Sequence, residues 1–291
     1  MADPQIEYLF RPNQDCRRQG NRIRYNAYSM RSDDFPRQKT NPAELRVLVI
    51  GDSVVNGGNP TDHARLATTL AGPMLSTRLQ RPVVIGNISA GSWGPPNELA
   101  YLKKYGLFDA DVLAIVISSH DAADVPQFDQ PVIGPREKPI SALAEGLSRY
   151  SIGDLLQWVK GSSPTATPEA APIPTTLPTA DIEQGLSALR EMISLAQAAG
   201  ARVVILHHQD LHELQHEPAE GHALIAGVAR EQGVPVVELA PAFKKQLAAG
   251  PSPFRDHIHP NDLGQKLLAE VLVDVIMTMI TPPGTQPSPA E

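Results

Sequence analysis

Five short apolar segments recur along the chain, and each has the length of a strand that is buried on both faces. Segments with the helical spacing of apolar residues lie between and after them. The predicted strands are 46–51, 82–88, 111–118, 201–208 and 234–240, and the predicted helices are 62–79, 96–105, 181–199, 219–232 and 262–279. Because strands and helices alternate, the pattern predicts the α/β class, as a three-layer α/β/α sandwich around a parallel sheet of about five strands.

Three segments lack this alternation. Residues 1–45 hold many arginines without a clear period, so we expect an irregular, solvated arm wrapped on the domain. Residues 161–180 are rich in Pro, Thr and Ala, which predicts a flexible insertion, and residues 281–291 predict a disordered tail for the same reason. The sequence therefore predicts one domain, residues 46–280, interrupted by one loop.

The composition narrows the classes of function. The 291 residues are 42% hydrophobic and carry a formal net charge of −7. Nucleic-acid binding needs clustered Lys and Arg, so this charge argues against a general nucleic-acid binder and favours a small-molecule partner. The single cysteine, Cys16, excludes an intramolecular disulfide and a cysteine-based zinc site. No signal-peptide pattern and no run of about 18 apolar residues occurs, so we expect no membrane span and a cytoplasmic location as written, or a periplasmic one if a leader has been removed.

The first predicted strand ends in the triplet Gly51-Asp52-Ser53. In open parallel sheets, ligands bind beyond the carboxyl ends of the strands, and glycine allows the backbone to turn tightly there. Ser53 is therefore a candidate nucleophile. Asp and Ser are also ordinary turn and helix-capping residues, so the triplet alone leaves a purely structural role open.

A serine nucleophile needs a base, and the base needs a partner that orients it. Near the end of the chain, Asp256 and His259 stand three residues apart, directly before Pro260. Proline disfavours helix at the residue before it, and Asn261 or Asp262 can cap the helix that follows, so this segment should be a loop at a helix N-terminus. In such a loop the carboxylate can accept the Nδ1–H of the imidazole and leave Nε2 free to take a proton from Ser53.

The two motifs together resemble those of the SGNH (GDSL-type) hydrolase family, and the resemblance spans roughly residues 46–279. It implies a flavodoxin-like three-layer fold and the hydrolysis of esters or acyl groups. It also implies that Ser53 is the nucleophile and that Asp256 and His259 complete a catalytic triad. The resemblance implies neither a metal nor an organic cofactor.

The same resemblance implies an oxyanion hole with backbone donors at Ser53 and at either Gly91 or Ser92. The family's Gly-x-Asn-Asp motif appears here as Ser-Ser-His-Asp, residues 118–121. The asparagine amide is normally a further donor, so a ring N–H of His120 must replace it if the hole is intact. This departure leaves the efficiency and the class of the reaction open, whereas the expected fold does not depend on it.

Two segments suggest the class of substrate. Residues 26–36 and 92–102 are similar to segments of bacterial family members that are associated with exopolysaccharide or cellulose synthesis. The resemblance suggests removal of an acyl group, acetyl in our expectation, from a saccharide ester. Trp93 could offer an aromatic face to a sugar, and His208 lies at the carboxyl end of the fourth predicted strand, so we expect substrate contacts from these two residues and from Asp52 and Asp121. A small aryl or short-chain ester fits the triad equally well, and transfer of the acyl group to another sugar hydroxyl instead of water also stays open.

Three alternatives remain at this point. The segment AGSWG, residues 90–94, is one residue type away from a Gly-x-Ser-x-Gly elbow, so Ser92 is a rival nucleophile. His208, His212 and His216 recur at a helical spacing of four, which could bind zinc in a metal-dependent hydrolase. The replacement at His120 favours a binding or scaffold protein of polysaccharide biosynthesis with impaired catalysis, whereas the retained triad argues against one.

Overall fold

The computed structural model describes residues 1–128 and 178–280. The chain divides into one compact unit, Met1–Pro126 with Pro178–Glu291, and a second, Gln127–Leu177. Most of the predicted insertion, 161–177, and the predicted tail, 281–291, lie outside the described residues, whereas 179 and 180 are already helical. No helix in the two described stretches is long and apolar enough to cross a bilayer.

A parallel sheet of five strands forms the centre of the first unit, in agreement with the predicted fold class. The strands are β5 (Leu45–Gly51), β6 (Val83–Ser89), β7 (Val112–Ser118), β8 (Arg202–His208) and β9 (Val236–Glu238). Their spatial order is β6-β5-β7-β8-β9, which is the flavodoxin-like order 2-1-3-4-5 of the sheet's own strands. From β5 the chain first adds β6 on one side and then β7 on the other, so the direction of strand addition changes at β5. In sheets of this kind the ligand-binding site lies at the carboxyl end of such a strand.

Helices cover both faces of the sheet. Those of the described residues are α1 (Ser53–Asn56), α2 (Ala67–Leu79), α3 (Pro95–Tyr105), α4 (Thr179–Ala198), α5 (Leu211–Gln215), α6 (Glu220–Glu231), α7 (Ala240–Ala249) and α8 (Asp262–Ile280). Alternate strand residues belong to opposite cores: Leu48 and Ile50 pack with α3, α4 and α6, while Val47 and Val49 pack with α2, α7 and α8. This period of two explains why the strands are apolar at every position.

The helix predicted over 62–79 is broken in the structure. Residues His63–Arg65 form a 3₁₀ turn, and Leu66 then adopts an extended backbone with φ −63° and ψ 142° before α2 begins. The last predicted strand is also shorter than expected, because Leu239 begins the turn into α7, whose first residues include Pro241. Proline in the first helical turn favours a helix start, and it marks the boundary here.

The expectation of an irregular arm over residues 1–45 is wrong in part. The arm contains two antiparallel hairpins, β1 (Ala2–Asp3) with β2 (Glu7–Tyr8), and β3 (Gln14–Arg18) with β4 (Asn21–Tyr25). Gln19 and Gly20 between β3 and β4 have φ of 51° and 83°, as a two-residue hairpin turn of type I′ requires. The arm is also not simply solvated, because several of its side chains are buried: Ile6, Leu9, Ile23, Met30 and Arg31.

Candidate active site

The candidate nucleophile lies where β5 meets the short helix α1. Asp52 caps α1, with its Oδ1 accepting a hydrogen bond from the Val54 N–H at 2.8 Å. A side chain at Gly51 would come within 2.7 Å of the Val116 carbonyl oxygen and of Val55, so only glycine fits before the turn. This tight passage leaves Ser53 half-buried at the carboxyl edge of the sheet.

A loop before α8 brings the predicted base and acid to Ser53. His259 Nε2 lies 2.9 Å from Ser53 Oγ, and His259 Nδ1 lies 2.8 Å from Asp256 Oδ2. Asp256 Oδ1 accepts hydrogen bonds from the backbone N–H of His259 at 2.7 Å and of Ile258 at 3.0 Å. Burial opposes ionisation of Asp256, but these hydrogen bonds and the imidazole outweigh it and lower the pKa of Asp256 to about 2. The carboxylate is therefore ionised at neutral pH.

Two residues that were not singled out in the sequence, Arg255 and Gln265, hold the two loops together, and Asn261 fixes the start of α8. Arg255 Nη1 donates to the Gly57 carbonyl at 2.9 Å and to Thr61 Oγ1 at 3.2 Å, which ties the Asp256 loop to the Ser53 loop. Gln265, fully buried on α8, donates to the Val54 carbonyl and accepts from the Ala67 N–H. Asn261 Oδ1 caps α8 by accepting from the Leu263 and Gly264 N–H groups, as the sequence allowed.

The predicted oxyanion donors also lie at this edge. Among residues 1–128 and 178–280, no hydrogen-bond acceptor is found for the backbone N–H of Ser53, Gly91 or Ser92. Ser92 is exposed and has a φ of 54°, a left-handed conformation that costs a residue other than glycine about 1 to 2 kcal/mol. Backbone strain of this kind is common at functional sites.

His120 lies between two buried carboxylates. Its Nε2 is 3.4 Å from Asp121 Oδ1 and 3.6 Å from Asp52 Oδ2. The negative charge of Asp121 and, after it, that of Asp52 raise the pKa of His120 to about 10, although 44% of the side chain is exposed and water weakens this attraction. Burial raises the pKa of Asp121 itself to about 8, whereas the His120 ring lowers the pKa of Asp52, so Asp52 is the ionised partner of the ring at neutral pH. His120 is therefore protonated at neutral pH, and its Nδ1–H has no partner among the described residues.

Two further acids, near Asp52 and Asp121, could not be identified from the sequence. Glu98 on α3 is 3% exposed, its Oε2 makes no hydrogen bond within the described part of the chain, and burial raises its pKa well above the usual value. Burial likewise raises the pKa of Asp124 to about 6. Nothing in the local sequence distinguishes these carboxyls from surface ones, because Glu98 on α3 comes close to the acids that follow β7 only in the folded chain.

The four residues expected to contact substrate all lie beneath the surface. Trp93 is 2% exposed and packs edge-on against Tyr8, so its ring faces are not open to a sugar. Asp52 and Asp121 are occupied by the contacts with His120. His208 Nε2 donates to the Ile258 carbonyl at 2.8 Å and thereby holds the loop that carries His259.

The predicted histidine cluster does not converge. His208 ends β8 and is buried, whereas His212 and His216 are exposed, with their rings stacked on each other. The helix begins only at Leu211, with Asp210 as its N-cap, so His208 lies before the helix and does not share a helical face with His212 and His216. Within the described residues, one group of three ligand atoms lies within 4.8 Å, on Asp52, His120 and Asp121. Its members already pair with one another, with the His120 ring supplying the positive charge.

Ser92 lacks the surroundings of a nucleophile. Its hydroxyl makes no hydrogen bond to a histidine anywhere in the described chain, whereas Ser53 has His259 at 2.9 Å. Of the two serines that the sequence left open, only Ser53 is therefore next to a base.

Comparisons with known proteins agree with this architecture. Residues 49–267 match the model of the GDSL-like Lipase/Acylhydrolase family. Curated protein sequences gave no match. Among solved structures, LAE5, an α/β hydrolase enzyme from the metagenome of Lake Arreo, Spain, has a TM-score of 0.50 at 16% identity over 81% of this chain and 97% of its own.

Two esterases are also similar. Axe2, an acetylxylan esterase from Geobacillus stearothermophilus, has a TM-score of 0.50 at 13% identity, covering 80% of this chain and 94% of its own. CEX, a two-domain esterase active on acetylated mannans, has a TM-score of 0.51 at 14% identity, covering 84% of this chain and 53% of its own. At these identities the likeness is one of fold.

Proposed function

Because the chain belongs to the GDSL-like lipase/acylhydrolase family and is an ester-hydrolysing enzyme, we propose that it is a serine esterase that removes acetyl groups from a saccharide. The contact between Ser53 Oγ and His259 Nε2 at 2.9 Å carries this proposal. A hydroxyl at hydrogen-bond distance from an imidazole, which a carboxylate orients in turn, is the arrangement that serine acyl transfer requires.

The reaction proceeds in two acyl transfers. His259 Nε2 takes the proton from Ser53 as Oγ attacks the ester carbonyl carbon, and the imidazolium then gives that proton to the departing alcohol. Water next attacks the acyl-enzyme, with His259 again as the base, and the acid and free Ser53 are released. The hydrogen bond from His259 Nδ1 to Asp256 keeps the proton on Nδ1 and stabilises the imidazolium in both steps.

The tetrahedral oxyanion is held by the backbone N–H of Ser53, by an N–H of the 91–92 segment and by the ring of His120. The first two are supported by the absence of other acceptors for these groups in the described residues. For His120, the two carboxyl groups at Nε2 leave Nδ1–H as the donor, and the ionised Asp52 keeps the ring positively charged. A charged donor makes a stronger hydrogen bond to an oxyanion than the amide that the family uses.

A saccharide acetate is the substrate that we propose, and a bacterial exopolysaccharide is the proposed natural polymer. The similarity of residues 26–36 and 92–102 to polysaccharide-associated family members supports this class. The acetylxylan esterase and the mannan-active esterase also carry the same fold, although at 13% and 14% identity their substrates do not transfer by themselves.

The test is a panel of acetylated saccharides and p-nitrophenyl esters, assayed with the wild type and with Ser53→Ala. We expect acetate release by the wild type, preferential turnover of acetylated saccharides and no turnover by the variant. Equal activity of the two proteins would contradict Ser53 as the nucleophile. Analysis of products in the presence of excess sugar separates hydrolysis from transfer to a second hydroxyl.

A second candidate function is a saccharide-binding scaffold with impaired chemistry. The histidine in place of the family's asparagine is the observation that favours it. A fluorophosphonate, which reacts with an activated serine, separates the two: labelling of the wild type but not of Ser53→Ala supports the esterase. A wild type that stays unlabelled while it binds the acetylated polymer supports the scaffold.

A further inference from the structure

The first hairpin, β1 with β2, lies outside residues 49–267, which match the family model, and yet it contacts the candidate active site. Tyr8 on β2 donates its hydroxyl hydrogen bond to the Gly91 carbonyl at 2.6 Å. A side chain at Gly91 would come within 3.4 Å of this hydroxyl, so the glycine and the tyrosine are in close contact. Burial raises the pKa of Tyr8, so the phenol keeps its proton and is a donor at any physiological pH.

The hairpin is fixed to the helix that follows the 91–94 loop. Asn97 Nδ2 donates to the Ile6 carbonyl at 2.8 Å, and Asn97 Oδ1 accepts from the Gly94 N–H at 3.1 Å. Asp3 pairs with Lys104 on the same helix, α3. Because α3 anchors both the hairpin and the end of the loop, the position of the Tyr8 hydroxyl relative to Gly91 is set on two sides.

A hydrogen bond to one carbonyl fixes one neighbouring N–H. The carbonyl of Gly91 and the N–H of Ser92 belong to the same planar trans peptide and point in opposite directions. Holding the Gly91 carbonyl therefore also holds the direction of the Ser92 N–H. The N–H of Gly91 belongs to the preceding peptide, which Tyr8 does not contact. The left-handed backbone of Ser92, with φ 54°, needs such support because it is intrinsically disfavoured.

We propose that Tyr8 is a positioning residue of the active site, and that the Ser92 N–H, and not that of Gly91, is the oxyanion donor it orients. The proposal rests on the proposed acyl transfer at Ser53. It makes the N-terminal hairpin a functional part of the enzyme and selects one of two backbone groups as the one that stabilises the oxyanion.

The test compares Tyr8→Phe with Tyr101→Phe in the full chain. Tyr101 is a matched control, because its hydroxyl donates to the Tyr28 carbonyl at the same 2.6 Å but away from the 91–92 peptide. Both variants lose one hydrogen bond and keep the ring, so their melting temperatures should fall by similar amounts. Only Tyr8→Phe should lower kcat on p-nitrophenyl acetate, by about tenfold, with KM nearly unchanged, because the donor remains but is less well oriented.

A transition-state analogue gives the second measurement. Binding of a boronic acid, which forms a tetrahedral anion on the serine, should weaken by about the same tenfold factor in Tyr8→Phe and stay constant in Tyr101→Phe. Equal kcat values for the wild type and Tyr8→Phe, or equal losses in the two variants, would overturn the inference while leaving the esterase proposal standing. A wild type that neither turns over esters nor reacts with a fluorophosphonate would overturn both.

Discussion

Replacing Asp256 by asparagine tests the orientation of the imidazole, because the two side chains have the same shape. The amide oxygen can take only one of the two places that the carboxylate oxygens hold. Oδ1 accepts two backbone N–H groups, of Ile258 and His259, whereas Oδ2 accepts the single Nδ1–H of the His259 ring. An amide that turned its NH₂ toward the backbone would lose both backbone hydrogen bonds.

The contacts of Asp256 give the size of the preference for an amide whose oxygen faces the backbone N–H groups. Asp256 is 43% exposed at its side chain, so water compensates part of each loss, and about 1 kcal/mol per hydrogen bond is appropriate. Two bonds then favour the amide with its NH₂ toward His259 by about 2 kcal/mol, a ratio of about thirty to one. In that orientation the NH₂ donates to Nδ1, so the ring proton moves to Nε2, and Nε2 can no longer accept a proton from Ser53.

The lost charge adds to this effect. A carboxylate about 4 Å from the imidazolium contributes between about 1 kcal/mol in water and about 4 kcal/mol near a protein surface. A middle value of about 2 to 3 kcal/mol corresponds to a further factor of roughly 30 to 160. We therefore expect kcat/KM to fall by about a thousandfold or more, toward the roughly ten-thousandfold loss that the same change causes in a serine protease.

The assay is kcat/KM for p-nitrophenyl acetate, with Ser53→Ala as the background and Asp256→Ala as the variant that loses all three hydrogen bonds. Long-range nitrogen NMR of the imidazole should show the proton on Nδ1 in the wild type and on Nε2 in Asp256→Asn. Activity of Asp256→Asn within tenfold of the wild type, or an unchanged tautomer, would refute the assignment of Asp256 as the orienting residue.

Three further outcomes are expected. His120→Ala should lower kcat by roughly 100-fold or more, which is the loss typical of one oxyanion donor, and His120→Asn should recover part of that activity. A kcat for His120→Ala close to that of the wild type removes His120 from the mechanism. Ser92→Gly keeps the backbone N–H, removes the hydroxyl and relieves the strain at φ 54°, so this variant should retain activity in the same assay and unfold at a slightly higher temperature. A loss of activity as large as that of Ser53→Ala would make Ser92 the nucleophile. Burial raises the pKa of Glu98, so the folded protein favours the protonated form, whereas the unfolded chain ionises above about pH 4.5 and the wild type loses stability as the pH rises. Glu98→Gln should therefore melt at a higher temperature than the wild type at pH 7 but not at pH 4. The same difference in melting temperature at both pH values would show that the burial of Glu98 costs no stability.

The candidate residues whose positions could be predicted share one property: each is tied to a local pattern. Ser53 follows a strand whose apolar run is unmistakable, and His259 precedes a proline and a helix cap. Tyr8, Arg255 and Gln265 were missed because their roles lie in contacts with residues 83, 198 and 211 positions away, respectively, which no local pattern records. Trp93 was assigned to the substrate from its residue type, and packing against Tyr8 placed it in the core instead.

The sequence by itself determined the alternation of strands and helices, the sheet they form, and the two loops that carry Ser53 and His259, because hydrophobic periodicity, glycine and proline act over a few residues. Only the tertiary structure decided which groups line the carboxyl edge of the sheet. Folding brings Glu98 and Asp124 close to Asp52 and Asp121, separates His208 from His212, and places an N-terminal tyrosine on the Gly91 carbonyl. Charge, exposure and hydrogen-bond geometry depend on neighbours that are distant along the chain, so these properties exist only once the chain has folded.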